Sequence, residues 1–258
     1  KPLPVPVESD QARVSITDSE IMAEIQNPDN VDAYFVLPSQ LNGAEYPSER
    51  SIVGQVDDYT SDNTGGPRGQ LAAHPAAAQF VLDNAANDKQ PNGINAVDGM
   101  LDQMVLAGYP FELMNGYLYV PQLKDSTKMQ DASNKFKEMS HLLRPLVMEA
   151  VPACGLTPDK QRFCEAKHKV NLVYASAIPV QAYMNRVVGN PEQEKFQIAI
   201  AQHVLTAQYY GALKTAAEKR PAGAKVFLMP LGGGVFNNPW ECIMQGITQA
   251  VDMMPKEQ

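Results

Sequence analysis

Cysteine is scarce in this chain, three residues in 258. An odd count at that density argues against a disulfide-held scaffold and for a reducing compartment. No run of 18 apolar residues occurs, so no transmembrane helix is expected and no membrane partner is called for. Clustered cations are missing as well. Lys and Arg number 21 against 29 Asp and Glu, a formal charge of −8, and the densest basic stretch, CEAKHK (Cys164–Lys169), is short and interrupted. Duplex binding needs basic clusters to neutralise phosphates, so nucleic acid is not an expected partner. The start, KPLPVPVESD, has no apolar signal core and reads as a trimmed fragment rather than a secretory precursor. The expected location is the cytosol, whether of the producing cell or of another cell that receives the protein as an effector.

What is present is an alternation. Apolar, β-rich runs occur at Ala33–Pro38, Ser51–Val56, Tyr117–Pro121, Val170–Pro179 and Ala224–Pro230. Helical patterns lie between them, at 68–88, 96–108, 129–151, 191–219 and 239–254. Strands alternating with helices imply an α/β fold with helices packed on a sheet. The longest helix is the most strongly marked. Asn190 suits an N-cap, Pro191 the first helical position, and Phe196, Ile200, Val204 and Ala207 recur as one buried stripe. Pro145 is expected to kink or split the preceding helix. Residues 1–30 read as an arm or lead-in, and 31–258 as a single domain.

Two loops concentrate the chemistry. In KVFLMPLGGGVFNNPWECI (Lys225–Ile243), a strand runs through Gly232, Gly233 and Gly234 toward a helix start. One glycine would serve a tight turn; three in a row favour close approach of a ligand to backbone N–H groups. The Lys-Ser/Thr of a P-loop and the third glycine of a dinucleotide fingerprint are both absent. In SIVGQVDDYTSDNTGGPRGQL, Asp57, Asp58 and Asp62 follow an expected strand, and Thr64, Gly65 and Gly66 precede a helix. Aspartates cap turns and helices well, which accounts for at least one of the three. The others stand where α/β sheets place ligands. A third segment, NLVYASAIPVQAYMN, is either another ligand-facing strand end or a plain buried strand.

Other signals are weaker. Cys154, Cys164 and His168 match no common zinc spacing and lack a fourth ligand. His74, His141 and His203 are scattered singly, and no nucleophile-elbow serine is present. Phe236 and Trp240 would suit stacking on an adenine or ribose, or equally a place in the core.

The stretch VFLMPLGGGVFNNPWECI resembles the diphosphate-binding loop of macrodomains: strand, Gly-rich turn, aromatic, Pro, then an acid opening a helix. DDYTSDNTGGPRGQL would take the place of the loop that embraces the distal ribose of ADP-ribose. The Gly triplet and downstream acid, Glu241, are also similar to poly(ADP-ribose) glycohydrolases, without their paired Gln-Glu-Glu. The nearer likeness is to the MavL-type macrodomains, which remove ADP-ribose from arginine. Acids here replace the usual Asn-rich catalytic loop. The resemblance implies a macrodomain-like mixed sheet sandwiched between helices. It also implies diphosphate contacts at Gly232, Gly233, Gly234, Val235, Phe236 and Asn237, and ribose-side contacts at Thr64, Gly65 and Gly66. Hydrolysis of an N-glycosidic bond would fall to Asp57, Asp58 and Asp62, with no cofactor and no bound metal. Two other readings stay open: a reader module that holds ADP-ribose without cleaving it, and a metal-dependent hydrolase in which DDYTSD chelates Mg²⁺.

Overall fold

A computed structural model of the chain describes residues 14–62, 65–97, 99–156, 163–220 and 223–255. Helix α1 (Ile21–Gln26) lies within the expected lead-in and sinks Ile25 into the core. Strand β1 (Tyr34–Ser39) follows, then a 3-10 turn at Val56–Ser61, and helices α2 (Gly65–Ala73) and α3 (Pro75–Asn84). Helix α4 (Met100–Leu106) precedes a small hairpin of β2 (Glu112–Met114) and β3 (Tyr117–Tyr119), and α5 (Ser126–Met139) comes next. Strands β4 (Leu146–Leu156) and β5 (Phe163–Ser176), helix α6 (Pro191–Lys219), strand β6 (Val226–Phe227) and helix α7 (Trp240–Asp252) complete the order.

The main sheet is mixed, ordered β4-β5-β1-β6. β1 runs parallel to both β5 and β6, whereas β4 is antiparallel to β5. Side chains alternate across β1, so the two faces feed two cores. Tyr34 and Val36 join Val173 and Ala175 in a core shared with Phe136, Ile200, Val204 and Ile243, from α5, α6 and α7. Phe35 and Leu37 join Leu172 and Tyr174 in the other, with Ile25, Ala77 and Val81 from α1 and α3. Helices therefore cover both faces, the α/β arrangement expected from the alternation. Phe35 stacks on Phe227 at 4.7 Å and ties β6 to the centre.

Helix α6 meets its expected description. Asn190 accepts from the Gln193 N–H at 3.1 Å, Pro191 opens the helix, and Phe196, Ile200, Val204 and Ala207 are buried. Three glutamines interrupt the apolar stripe, and each stitches a neighbouring segment to the helix. Gln193 donates to the Pro121 carbonyl, Gln197 to that of Asn185, and Gln208 accepts from the Ser176 N–H.

Two expected elements differ. Ser51–Val56 is not a strand: it is irregular chain, with Val56 opening the 3-10 turn, and the Val56 N–H goes to Gln79 Oε1 rather than to a neighbouring strand. Leu146–Val151, expected as the end of a helix, begins β4. Helix α5 ends at Met139, a 3-10 turn covers Ser140–Leu142, and after Pro145 the chain pairs with β5, Leu146 against Tyr174. Proline blocks helix continuation, and an available strand edge outweighs helical propensity. The register breaks between Met148 and Val151, where Ala150 adopts φ 54° and its N–H is held by Asn171 Oδ1.

Candidate functional site

The glycine triplet sits beyond the carboxyl end of β6, and its three members are not equivalent. Gly232 has φ +74°, and a Cβ there would lie 2.6 Å from both Ala177 Cβ and Asn238 Nδ2. Only glycine satisfies both conditions. A Cβ on Gly233 would press on Ile243 Cδ1 at 3.2 Å, whereas Gly234 faces open space. Buried partners hold the loop's frame. Tyr209 of α6 donates to the Met229 carbonyl at 2.7 Å and accepts from the Leu231 N–H at 2.9 Å. Asn238 donates to the Ile178 carbonyl at 2.8 Å, and Asn237 to that of Val180 at 3.2 Å, which fastens the loop to the segment that leaves β5.

Inside that frame the N–H groups divide. That of Gly233 turns back to the Pro230 carbonyl at 3.3 Å, and that of Asn237 to Gly234 at 2.9 Å. The N–H groups of Gly234, Val235 and Phe236 have no hydrogen-bond partner among the described residues. Three successive free donors on a clamped loop are suited to an anion. Helix α7 begins directly after them, N-capped by Pro239 with no side-chain hydrogen bond, so its positive end is not neutralised by its own cap. Trp240 is 59% exposed and Val235 63%, which places Trp240 on the surface rather than in the core. Glu241 is exposed in the first helical turn.

The acidic loop is organised differently. Asp57 and Asp58 are exposed on the 3-10 turn, and their carbonyls accept from the Thr60 and Ser61 hydroxyls. Asp62 ends the turn and is half-buried. Tyr59, fully buried between them, accepts from the Glu45 N–H at 3.2 Å and donates to Gln70 Oε1 at 3.1 Å, while Gln70 holds the Gly43 carbonyl at 2.7 Å. This chain of bonds joins the turn to the segment that leaves β1.

That segment delivers a carboxylate absent from the sequence-based expectation. Glu45 lies against α2, where a Cβ on Gly66 would come within 2.5 Å of its Oε2. Gly66 thus makes room for the Glu45 carboxylate. No hydrogen bond or ion pair to that carboxylate exists among the described residues. Burial, with a smaller contribution from the Asp62 charge, pushes the Glu45 carboxyl up to about 8. Nothing in the sequence around Glu45, LNGAEYPSE, marks it as chemical. Its burial beside Gly66 and Asp62 emerges only when the exit of β1 folds onto the start of α2.

An aromatic trio lies between the two loops. Tyr117, Tyr183 and Phe236 have ring centroids 5.0 to 5.7 Å apart. Tyr117 donates to the Tyr46 carbonyl at 2.8 Å, next in the chain to Glu45. The Tyr183 hydroxyl is raised above its ordinary range, chiefly by burial and then by nearby acids that include Glu45 and Asp62. The glycine loop and the acid pair therefore flank one aromatic cluster at the carboxyl edge of the parallel strands, the usual ligand position in an α/β sheet. The backbone here is strained. Gln181, Tyr183 and Asn237 have φ of 51°, 51° and 55°, conformations costly for side-chain-bearing residues and concentrated at functional sites.

Of the residues singled out from sequence, the fold brings together Asp62, Gly66, Gly232, Gly233, Gly234, Val235, Phe236 and Asn237, with Gly65 at the start of α2. Asp57 and Asp58 stand at the outer margin, and Thr64 lies outside the described residues. Among the described residues no group of three or more His, Cys, Asp or Glu side chains is placed to hold a metal ion. No described helix is long and apolar enough to cross a membrane. Comparison with protein-family models, curated proteins and solved structures finds no match for this chain.

Proposed function

We propose that this site binds ADP-ribose and hydrolyses the N-glycosidic bond that joins it to a modified protein, with arginine as the linked residue. The observation that carries the reading is the meeting of three free, consecutive N–H donors at Gly234–Phe236 with the Glu45–Asp62 carboxylate pair across one aromatic bridge. An acidic protein without a basic cluster must hold a diphosphate on backbone donors, and this loop offers them beside a helix N-terminus. The likeness to macrodomains in the same two loops agrees with that division of labour.

The chemistry follows from charge. A guanidinium is cationic and suits a carboxylate through a charge-assisted pair. It leaves as neutral guanidine, so cleavage requires a base for the attacking water more than an acid for the leaving group. Asp62 stabilises the oxocarbenium-like state and grips the cation. Glu45, titrating near 8, is matched to proton transfer at neutral pH, and an approaching guanidinium favours its ionised form. Asp57 and Asp58 make outer contacts with the modified protein.

The test is incubation with an ADP-ribosyl-arginine peptide, with free ADP-ribose measured by chromatography. Release that is lost in Glu45→Gln supports the hydrolase. Binding of ADP-ribose without any release assigns the reader function instead.

A further inference from the structure

A cavity lies on the β4 side of the sheet, its wall at Gln40 and Gly43 adjoining the segment that carries Glu45. It encloses about 370 Å³ between the exit of β1, residues 94–96, residues 142–146, the end of β5 and α6. That volume is within the range of small-molecule sites. Its walls are apolar at Leu41, Leu142 and Leu146, with five polar side chains: Gln40 and Asn95, hydrogen-bonded to the Tyr46 and Val97 backbone, and Arg144, Tyr174 and Gln208. Two of these carry unanswered buried atoms. Tyr174 Oη and Gln208 Nε2 are fully buried with no hydrogen-bond partner, an arrangement proteins avoid unless something else supplies the partner. Gln208 spends its oxygen on the Ser176 N–H, which fixes its amide so that the NH₂ remains to donate. Arg144, exposed at the rim, makes no ion pair among the described residues.

We propose that this cavity is a binding site for a small organic carboxylate. Guanidinium and amide NH₂ are donors only, and the tyrosine hydroxyl can donate, so the matching ligand group is an acceptor with negative charge. A carboxylate satisfies all three, pairing with Arg144 through two oxygens, while an apolar body covers the leucines. A phosphate ester would carry more charge than one arginine answers. The site shares neither Glu45 nor the glycine loop, so its occupancy does not depend on ADP-ribose chemistry.

The test is a titration of the ¹⁵N-labelled protein with acetate, hexanoate and benzoate, and with uncharged benzamide. A carboxylate site gives saturable shifts confined to amides near residues 94–96 and 142–146, with benzamide weaker by about tenfold or more. Arg144→Gln, at an exposed position, lowers the affinity for carboxylate by about tenfold. Tyr174→Phe removes only an unpartnered hydroxyl, so it keeps the thermal transition and weakens binding. No saturable shift with any carboxylate at about 10 mM, or equal binding of benzoate and benzamide, overturns the proposal. So does affinity unchanged by Arg144→Gln.

Discussion

Both loops of the candidate site bring glycine to a helix start, yet their glycines answer different demands. In the loop after β6, Gly232 is demanded by the fold itself, by its positive φ and the 2.6 Å approach of Ala177 and Asn238. In the first turn of α2, Gly66 is demanded by a neighbouring side chain, because a Cβ would strike the Glu45 carboxylate. The first loop offers donors on a frame held by Tyr209 and Asn238; the second offers acceptors in a partly dry setting. A ligand with an anionic half and a cationic half would use both. Glycine count alone does not distinguish a scaffold position from a site position; the atoms a Cβ would meet do.

The largest expected effect breaks the acidic side. Glu45→Gln and Asp62→Asn should each lower the release of ADP-ribose from arginine by about 10²-fold or more, with ADP-ribose affinity near that of the parent. Single-turnover assays beside calorimetry check both halves. Next comes the contrast within the triplet. Gly232→Val should cost about 3 kcal/mol or more in stability, seen as a lower denaturation midpoint. Gly234→Val, facing open space, should leave the midpoint in place and weaken ADP-ribose binding by about tenfold.

A pH series sharpens the acidic side further. The Glu45 carboxyl holds its proton more tightly folded than unfolded, so its contribution to stability is fully present below the ordinary carboxylate range and lost as pH rises toward about 8. Glu45→Gln should therefore raise the melting temperature at pH 9 relative to the parent, by about 2–4 °C for each kcal/mol relieved. The same substitution should show little gain near pH 4. In the parent, kcat/KM should climb through pH 8 as the base form appears, and calorimetric scans and rate profiles at matched pH read the two effects. The smallest effect belongs to the margin: Asp57→Asn and Asp58→Asn should change release by less than about threefold, as exposed charges in high dielectric do.

Much of the frame was legible because it rests on local signals. Asn190 and Pro191 announce α6, and the apolar runs at Ala33–Pro38 and Val170–Pro179 announce the two central strands. Ser51–Val56 misled because a β-rich run becomes a strand only beside a partner, and Gln79 takes its N–H instead. Leu146–Val151 misled in the opposite way: the edge of β5 converts a helical pattern into β4. The glycine loop could be read as a donor cradle, but which N–H groups stay free depends on Pro230 and Gly234 folding back on their neighbours. Glu45 was invisible. Its chemistry comes from its surroundings, Asp62 and Gly66 among them, which are distant in the chain.

The central claim is that one loop holds a diphosphate on its backbone, and amide resonances report it directly. Titration of the ¹⁵N-labelled protein with ADP-ribose should produce large, saturable shifts at the Gly234, Val235 and Phe236 amides, with adenosine at the same concentration producing none there. Saturable shifts confined to other regions, or no difference between ADP-ribose and adenosine at these three amides, would contradict the account.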